Sequence, residues 1–236
     1  ITSIDAALFY DFPDAYVKIK KLFEQNPGAD LDGDIPQELV DEAYKIEEAS
    51  VWRGLYHYFD APKELRKSLN VPMFEKIRKG EVWRTFTPSI LHKGFLHILF
   101  NMLWLWILGR QVELRSGKGR YILITLILGI VSNTCQYIAS GPFFLGYSGI
   151  ITGLAGYIWM RQRVAPWEDY NLPRGTLLFL GIFIFGMLAF QIITFFLRKG
   201  GLGVFEVNIA NTAHISGAIA GVVLGAIPRF GGNGCR

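Results

Sequence analysis

The sequence predicts an all-α, polytopic membrane helical bundle that follows a water-soluble segment. Three observations carry this. Five long apolar runs succeed one another from Gly94 onward. The charge divides along the chain: residues 1–82 hold 16 acidic against 11 basic side chains, and residues 83–236 hold 4 against 13. The basic residues of the second part sit in short loops between apolar runs, as in proteins oriented by positive charge on the cytoplasmic side.

A hydrocarbon core of about 30 Å takes about 20 residues of helix. Gly94–Leu114 is the first run, interrupted by His97, Asn101 and Gly109. Tyr121–Ala139 is the second, and Ser148–Met160 opens a third that is shorter and rich in glycine. Thr176–Leu197 is the most apolar, and Ile209–Ile227 is the fifth. A soluble core has no use for five such runs in succession.

The loops set the orientation. Arg110, Arg115, Lys118 and Arg120 separate runs one and two; Arg161, Arg163 and Arg174 separate three and four; Arg229 and Arg236 follow the fifth. With alternating spans these clusters share one face, which is then cytoplasmic, and only Arg198 and Lys199 oppose them. The expected division is an extracytoplasmic, partly helical segment 1–82, a membrane core 83–228 and a cytoplasmic tail 229–236. An acidic segment outside, ahead of an odd number of spans, calls for a further transmembrane helix upstream of Ile1. The chain opens on Ile1 without a visible signal peptide, so it reads as a fragment.

Within 1–82, Asp14 after Pro13 starts a helix with Val17, Ile19, Leu22 and Phe23. Asp34 with Pro36 starts another, with Leu39, Val40, Ala43 and Ile46 on one face. Asp30, Asp32 and Asp34 faintly resemble a calcium loop, but Ile35 stands where its sharp-turn glycine belongs, and an ordinary solvated turn is the simpler reading. The formal net charge of +4 does not point to nucleic acid, because the basic residues sit in short loops between apolar runs, where anionic lipid headgroups are the expected partners. The two cysteines, Cys135 and Cys235, form no CxxC pair, so neither a zinc ribbon nor a redox motif is available; no metal or cofactor is expected.

Polar side chains inside apolar spans need partners or a task. His97 and Asn101 lie four residues apart, on one helical face. Ser148 stands between Gly146-Tyr147 and Gly149, where backbone and substrate can approach closely. His214 lies beside a seam of Gly217, Gly221 and Gly225. Each has an ordinary structural use: interhelical hydrogen bonds, an N-cap, close helix packing. Together, at one depth, they supply a serine nucleophile, a histidine base and two hydrogen-bond donors for an oxyanion. No acidic residue lies in the outer half of the third or fifth run, so the arrangement reads as a dyad.

These residues resemble the rhomboid family of intramembrane serine proteases. The matching pieces are Trp83-Arg84, the stretch from His97 to Asn101, Glu113, Gly146-Tyr147-Ser148-Gly149, and Ala213-His214 followed by Gly217, Gly221 and Gly225. The resemblance covers Val82 to Pro228. It implies a bundle of six helices whose first is absent here, with Ser148 as nucleophile and His214 as general base. By the same resemblance His97 and Asn101 help form the oxyanion hole. It places Trp83 and Arg84 in a loop beside the membrane surface and Gly146 in the turn that shapes the nucleophile helix, next to Gly149. The implied function is endopeptidase cleavage of single-span transmembrane proteins near the outer face of the bilayer, in the plasma (inner) membrane if the source is bacterial. Two features depart from the pattern. Bacterial relatives often carry an aromatic residue one turn after the nucleophile, stacked on the histidine, where this chain has Thr152; and the exposed segment is long. The competing reading is a non-catalytic membrane protein of the same fold that binds or escorts transmembrane clients. A small transporter is disfavoured, because no acid pairs with a cation in these spans.

Overall fold

A computed structural model describes residues 3–26, 36–60, 72–200 and 210–232. The aspartates at 30, 32 and 34, Ile209, Cys235 and Arg236 lie outside the described residues, as do the side chains of Arg198 and Lys199. Among the described residues every regular element is helical. The chain divides into two compact units, one of Ile1–Arg84 with Tyr137–Phe143, the other of Thr85–Gln136 with Phe144–Arg236.

The first unit contains α1 (Ser3–Leu8), α2 (Ala15–Glu24), α3 (Gln37–Ser50), α4 (Leu55–Asp60) and α5 (Glu75–Arg78). Asp14 is the N-cap residue of α2 and Pro36 that of α3. The two helices pack on each other, and Tyr16 Oη donates to Glu47 Oε1 at 3.3 Å. Leu39, Val40, Ala43 and Ile46 are half-buried along one face, as their spacing requires. In α2, Ile19, Leu22 and Phe23 are half-buried, whereas Val17 is exposed. Two residues are about 200° of helix, so Val17 and Ile19 cannot share a face.

Tyr137 is the centre of this unit. Its hydroxyl donates to Asp11 Oδ2 at 2.6 Å and accepts from the Phe74 amide at 3.1 Å. Its carbonyl accepts from Trp52 Nε1 at 3.1 Å, and Tyr10 stacks on its ring at 4.7 Å. Asp11 is buried in a left-handed conformation, φ 52°, and also accepts from the Lys76 amide at 2.6 Å. Lys76 and Lys79 pair with Asp14 and hold its carboxyl below the usual range.

In the second unit, α6 (Phe95–Trp104) passes through a π turn at Leu105–Gly109 into α7 (Arg110–Ser116). It is followed by α8 (Lys118–Ser140), whose last turn belongs to the first unit, then α9 (Ser148–Val164), α10 (Arg174–Lys199) and α11 (Asn211–Ala226). Among the described residues, three helices are long and apolar enough to cross a bilayer: Phe95–Ser116, Lys118–Ser140 and Arg174–Leu197. Large apolar side chains such as Phe95, Leu99, Trp106, Leu178, Ile182 and Phe196 point outward, which a bilayer satisfies and water does not. The glycine-rich helices α9 and α11 are shorter, 17 and 16 residues. They form the interior: Ile150, Leu154, Tyr157 and Ile158 of α9 are fully buried against Leu108, Val112, Ile124 and Leu128.

Glycine sets the α9–α11 approach. A Cβ on Gly217 would overlap the Gly149 carbonyl, one on Gly221 the Gly153 carbonyl, and one on Gly225 would lie 2.7 Å from the Tyr157 carbonyl. Side chains at these positions would force the backbones apart.

The three basic clusters meet at one end of this unit. Arg115 donates to the carbonyls of Glu168 and Asp169, each at 3.0 Å through Nε, and Arg120 to the Gly231 carbonyl at 3.0 Å. Arg161 and Glu168 form a buried pair at 2.5 Å, with side chains 5% and 4% exposed. Arg161 also donates to the Gly225 carbonyl at 3.1 Å, and Glu168 accepts from the Gly232 amide at 2.7 Å. Glu168→Gln leaves the guanidinium buried without a counter-charge and is expected to cost about 3–5 kcal/mol. Thermal unfolding of Glu168→Gln beside an Arg161→Met/Glu168→Leu double variant checks this. The double variant is expected to lose less than Glu168→Gln.

Candidate active site

The turn before α9 places the serine. Gly146 adopts φ 118°, a region that disfavours L side chains, and its amide donates to the Pro88 carbonyl at 3.0 Å. A Cβ here would also lie 2.8 Å from His97 Cε1 and Nε2 and 3.7 Å from Asn101 Nδ2. Gly146 is therefore required twice, by its dihedral and by the two polar side chains against it. Ser148 is then the first residue of α9, where backbone amides have no acceptor within the helix.

His214 is the fourth residue of α11 and is buried. Its Nε2 lies 2.8 Å from Ser148 Oγ. For Nε2 to accept the serine proton, a neutral imidazole carries its own hydrogen on Nδ1. Nδ1 is buried, and no hydrogen-bond partner for it occurs among the described residues. The close α9–α11 seam makes this distance possible, because Gly149 and Gly217 flank the pair on their two helices.

His97 and Asn101 lie one turn apart on α6, both beside Gly146. His97 Nδ1 accepts from the Lys93 amide at 3.4 Å, which leaves the hydrogen on Nε2, the nitrogen nearer Gly146. Asn101 is buried, and its Nδ2 meets no acceptor among the described residues. Two donors thus converge beside the turn that presents Ser148. Thr152 turns its hydroxyl to the Gly149 carbonyl at 3.0 Å. Two further sequence-selected residues, Trp83 and Arg84, belong to the first unit: Trp83 is exposed, while Arg84 is buried. Arg84 donates to Glu81 at 2.6 Å and to the carbonyls of Ala6 and Phe9 at 2.8 and 2.9 Å.

Three residues passed unnoticed in the sequence. Gln136 Oε1 accepts from the Ala213 amide at 2.9 Å, a cap for α11 where Ala210 offers none. Ser132 abuts Gly149, where an added Cβ would lie 2.8 Å from its Oγ. Their spacing of four in an apolar run is the signal that singled out His97 and Asn101. His92 packs its ring against His97 at 5.1 Å and hydrogen-bonds the Ile90 carbonyl at 3.0 Å. It precedes the apolar run, so no burial argument drew attention to it.

A family model described as the Rhomboid domain matches residues 79–229. The chain is 38% identical over 151 residues to the Rhomboid protease GlpG of Salmonella newport (strain SL254) and to that of Salmonella heidelberg (strain SL476). Each match covers 64% of this chain and 50% of the relative, so the chain spans about half the length of the curated relatives it matches. Ser148, His214, His97, Asn101 and Gly146 all lie within the matched residues, and the match extends over well more than half of the sequence. The chain belongs to the rhomboid family and is an integral membrane protein.

Proposed function

We propose that this protein is an intramembrane serine endopeptidase that cleaves transmembrane segments through Ser148 and His214. The 2.8 Å hydrogen bond between Ser148 Oγ and His214 Nε2 carries this reading. A serine hydroxyl becomes nucleophilic when an adjacent base accepts its proton. In this mechanism Ser148 Oγ adds to the scissile carbonyl as its proton passes to Nε2. The oxyanion forms beside Asn101 Nδ2, His97 Nε2 and the first-turn amides of α9, donors already in place before charge develops. The imidazolium returns its proton to the leaving amine, and the acyl group remains on Ser148. Water, deprotonated by His214, then releases the acid and restores the serine.

Topology supports the location of the chemistry. Ser148 opens α9, and the basic network around Arg161 closes it, so the reactive end is opposite the positively charged end. With the basic end cytoplasmic, all five apolar helices cross the membrane, the reaction occurs near the outer face, and residues 1–82 are extracytoplasmic. Single-span membrane proteins are the fitting substrates, since the apolar exterior of the helices admits partners through lipid.

Alanine at Asn101 or His97 is expected to lower kcat by about 10–1,000-fold, less than loss of nucleophile or base, because the remaining donors still hold the oxyanion. Steady-state cleavage by each variant checks this; wild-type rates in both would remove the oxyanion role. The function itself is tested by reconstituting the protein in liposomes with single-span substrates and mapping the cut. Cleavage near the outer end of the segment, absent from Ser148→Ala, is expected. A wild-type protein that binds such segments without cutting them would favour the escort reading.

A further inference from the structure

A histidine held by one hydrogen bond keeps considerable freedom, because rotation about its Cβ–Cγ bond is broad. His214 is in that position: Nε2 meets Ser148, while Nδ1 has no partner among the described residues. Thr152, one turn after Ser148, donates its hydroxyl to the Gly149 carbonyl and makes no hydrogen bond to the ring.

The neighbour that faces the imidazole comes from another helix. The ring of Phe183, on α10, lies 6.2 Å from the His214 ring, tilted at 47°. That separation is within the range of favourable aromatic pairing. One and two turns further along α10, Met187 and Gln191 receive the side chain of Asn211, the first residue of α11. Asn211 Nδ2 donates to the Met187 carbonyl at 3.3 Å and to Gln191 Oε1 at 2.6 Å. The spacing 183, 187, 191 is one helical face, and that face meets the start of α11. α10 is otherwise peripheral: most of its large apolar side chains, such as Leu178, Ile182, Phe185 and Phe196, are exposed.

We propose that Phe183 is a positioning residue: its ring confines the His214 imidazole to the rotamer that reaches Ser148, by packing, where Nδ1 has no polar partner among the described residues. The consequence for catalysis rests on the serine–histidine reading; the restraint on the ring does not. Phe183 is 44% exposed, so truncation removes little of the core, and the fold is expected to survive.

The experiment uses the full chain in lipid bilayers and compares wild type with Phe183→Ala, Phe183→Leu, Phe183→Tyr and Phe183→Trp. Solid-state NMR of ring-labelled histidine, assigned with His214→Ala, reports the order of the His214 ring. Fluorophosphonate labelling and steady-state cleavage report reactivity. In Phe183→Ala the ring order is expected to fall. Labelling and kcat should drop by about 10–100-fold with KM nearly unchanged, the signature of a misplaced base. Phe183→Tyr and Phe183→Trp are expected to restore both readouts, and Phe183→Leu to restore neither. A His214 ring as ordered in Phe183→Ala as in wild type overturns the proposal, and so does full recovery with leucine. If the ring loosens in Phe183→Ala while wild type shows no serine labelling, the restraint stands and the protease reading falls.

Discussion

Alanine at Ser148, or at His214, is expected to reduce cleavage of a transmembrane substrate by about 10⁴-fold or more, since nucleophile and base act as a unit. The two losses should be similar in size, and the double variant should be little worse than either alone. That non-additivity distinguishes a shared catalytic step from two independent contributions. Ser148→Ala removes one hydroxyl at the first residue of α9 and should leave insertion and folding intact. His214→Ala leaves a space beside Phe183 and costs more stability, so the comparison needs matched amounts of folded protein. Near-normal cleavage by either variant would contradict the assignment, and so would losses that multiply.

The second large effect is on assembly. Gly→Ala in a helix ordinarily stabilises by about 0.4–1 kcal/mol, because the unfolded chain loses freedom. Gly221→Ala is expected to do the opposite. Its Cβ would overlap the Gly153 carbonyl, which belongs to a helix backbone and has no rotamer to escape into. The overpacking penalty, of order 3 kcal/mol, exceeds the entropic gain and forces α9 and α11 apart. Because Ser148 and His214 ride on those two helices, separation also breaks the 2.8 Å bond between them. Gly181→Ala is the control: nothing lies within 4 Å of its Cβ position on α10, so it should be neutral or slightly stabilising. Melting temperatures and cleavage rates of the two variants check both statements. A Gly221→Ala protein as stable and active as Gly181→Ala would remove the steric account of the seam.

Much of the fold was legible because lipid imposes a simple rule. Each apolar run corresponds to a helix, since a backbone in hydrocarbon must satisfy itself. The boundaries moved where local chemistry intervened. The fifth apolar run starts at Ile209 in the sequence, and its helix begins at Asn211, whose side chain bonds to α10. The third apolar run stops at Met160, but its helix continues to Val164, because Arg161 is charged yet buried, paired with Glu168. A charge signals a membrane boundary only when its partner is solvent, and the sequence does not say which partner it has. Gly146, Ser148, His97, Asn101 and His214 stood out because small or polar residues in apolar runs are costly. The support behind them did not. Gln136 caps α11 from a helix 77 positions away, and Phe183 approaches His214 from another, so neither relation follows from local spacing. The gathering of Tyr10, Asp11, Trp52 and Phe74 around Tyr137 is equally non-local. Tyr137 closes an apolar run as an ordinary interfacial aromatic would.

The proposed mechanism requires that one serine be activated by one histidine within the membrane-embedded bundle. Incubating the full chain in lipid with a fluorophosphonate, followed by peptide mapping of the adduct, tests it without a known substrate. A single modified residue, Ser148, is expected in wild type, with modification lost in His214→Ala and retained in Gly181→Ala. Modification at another serine, or equal labelling of Ser148 with and without His214, would rule out a Ser148–His214 dyad.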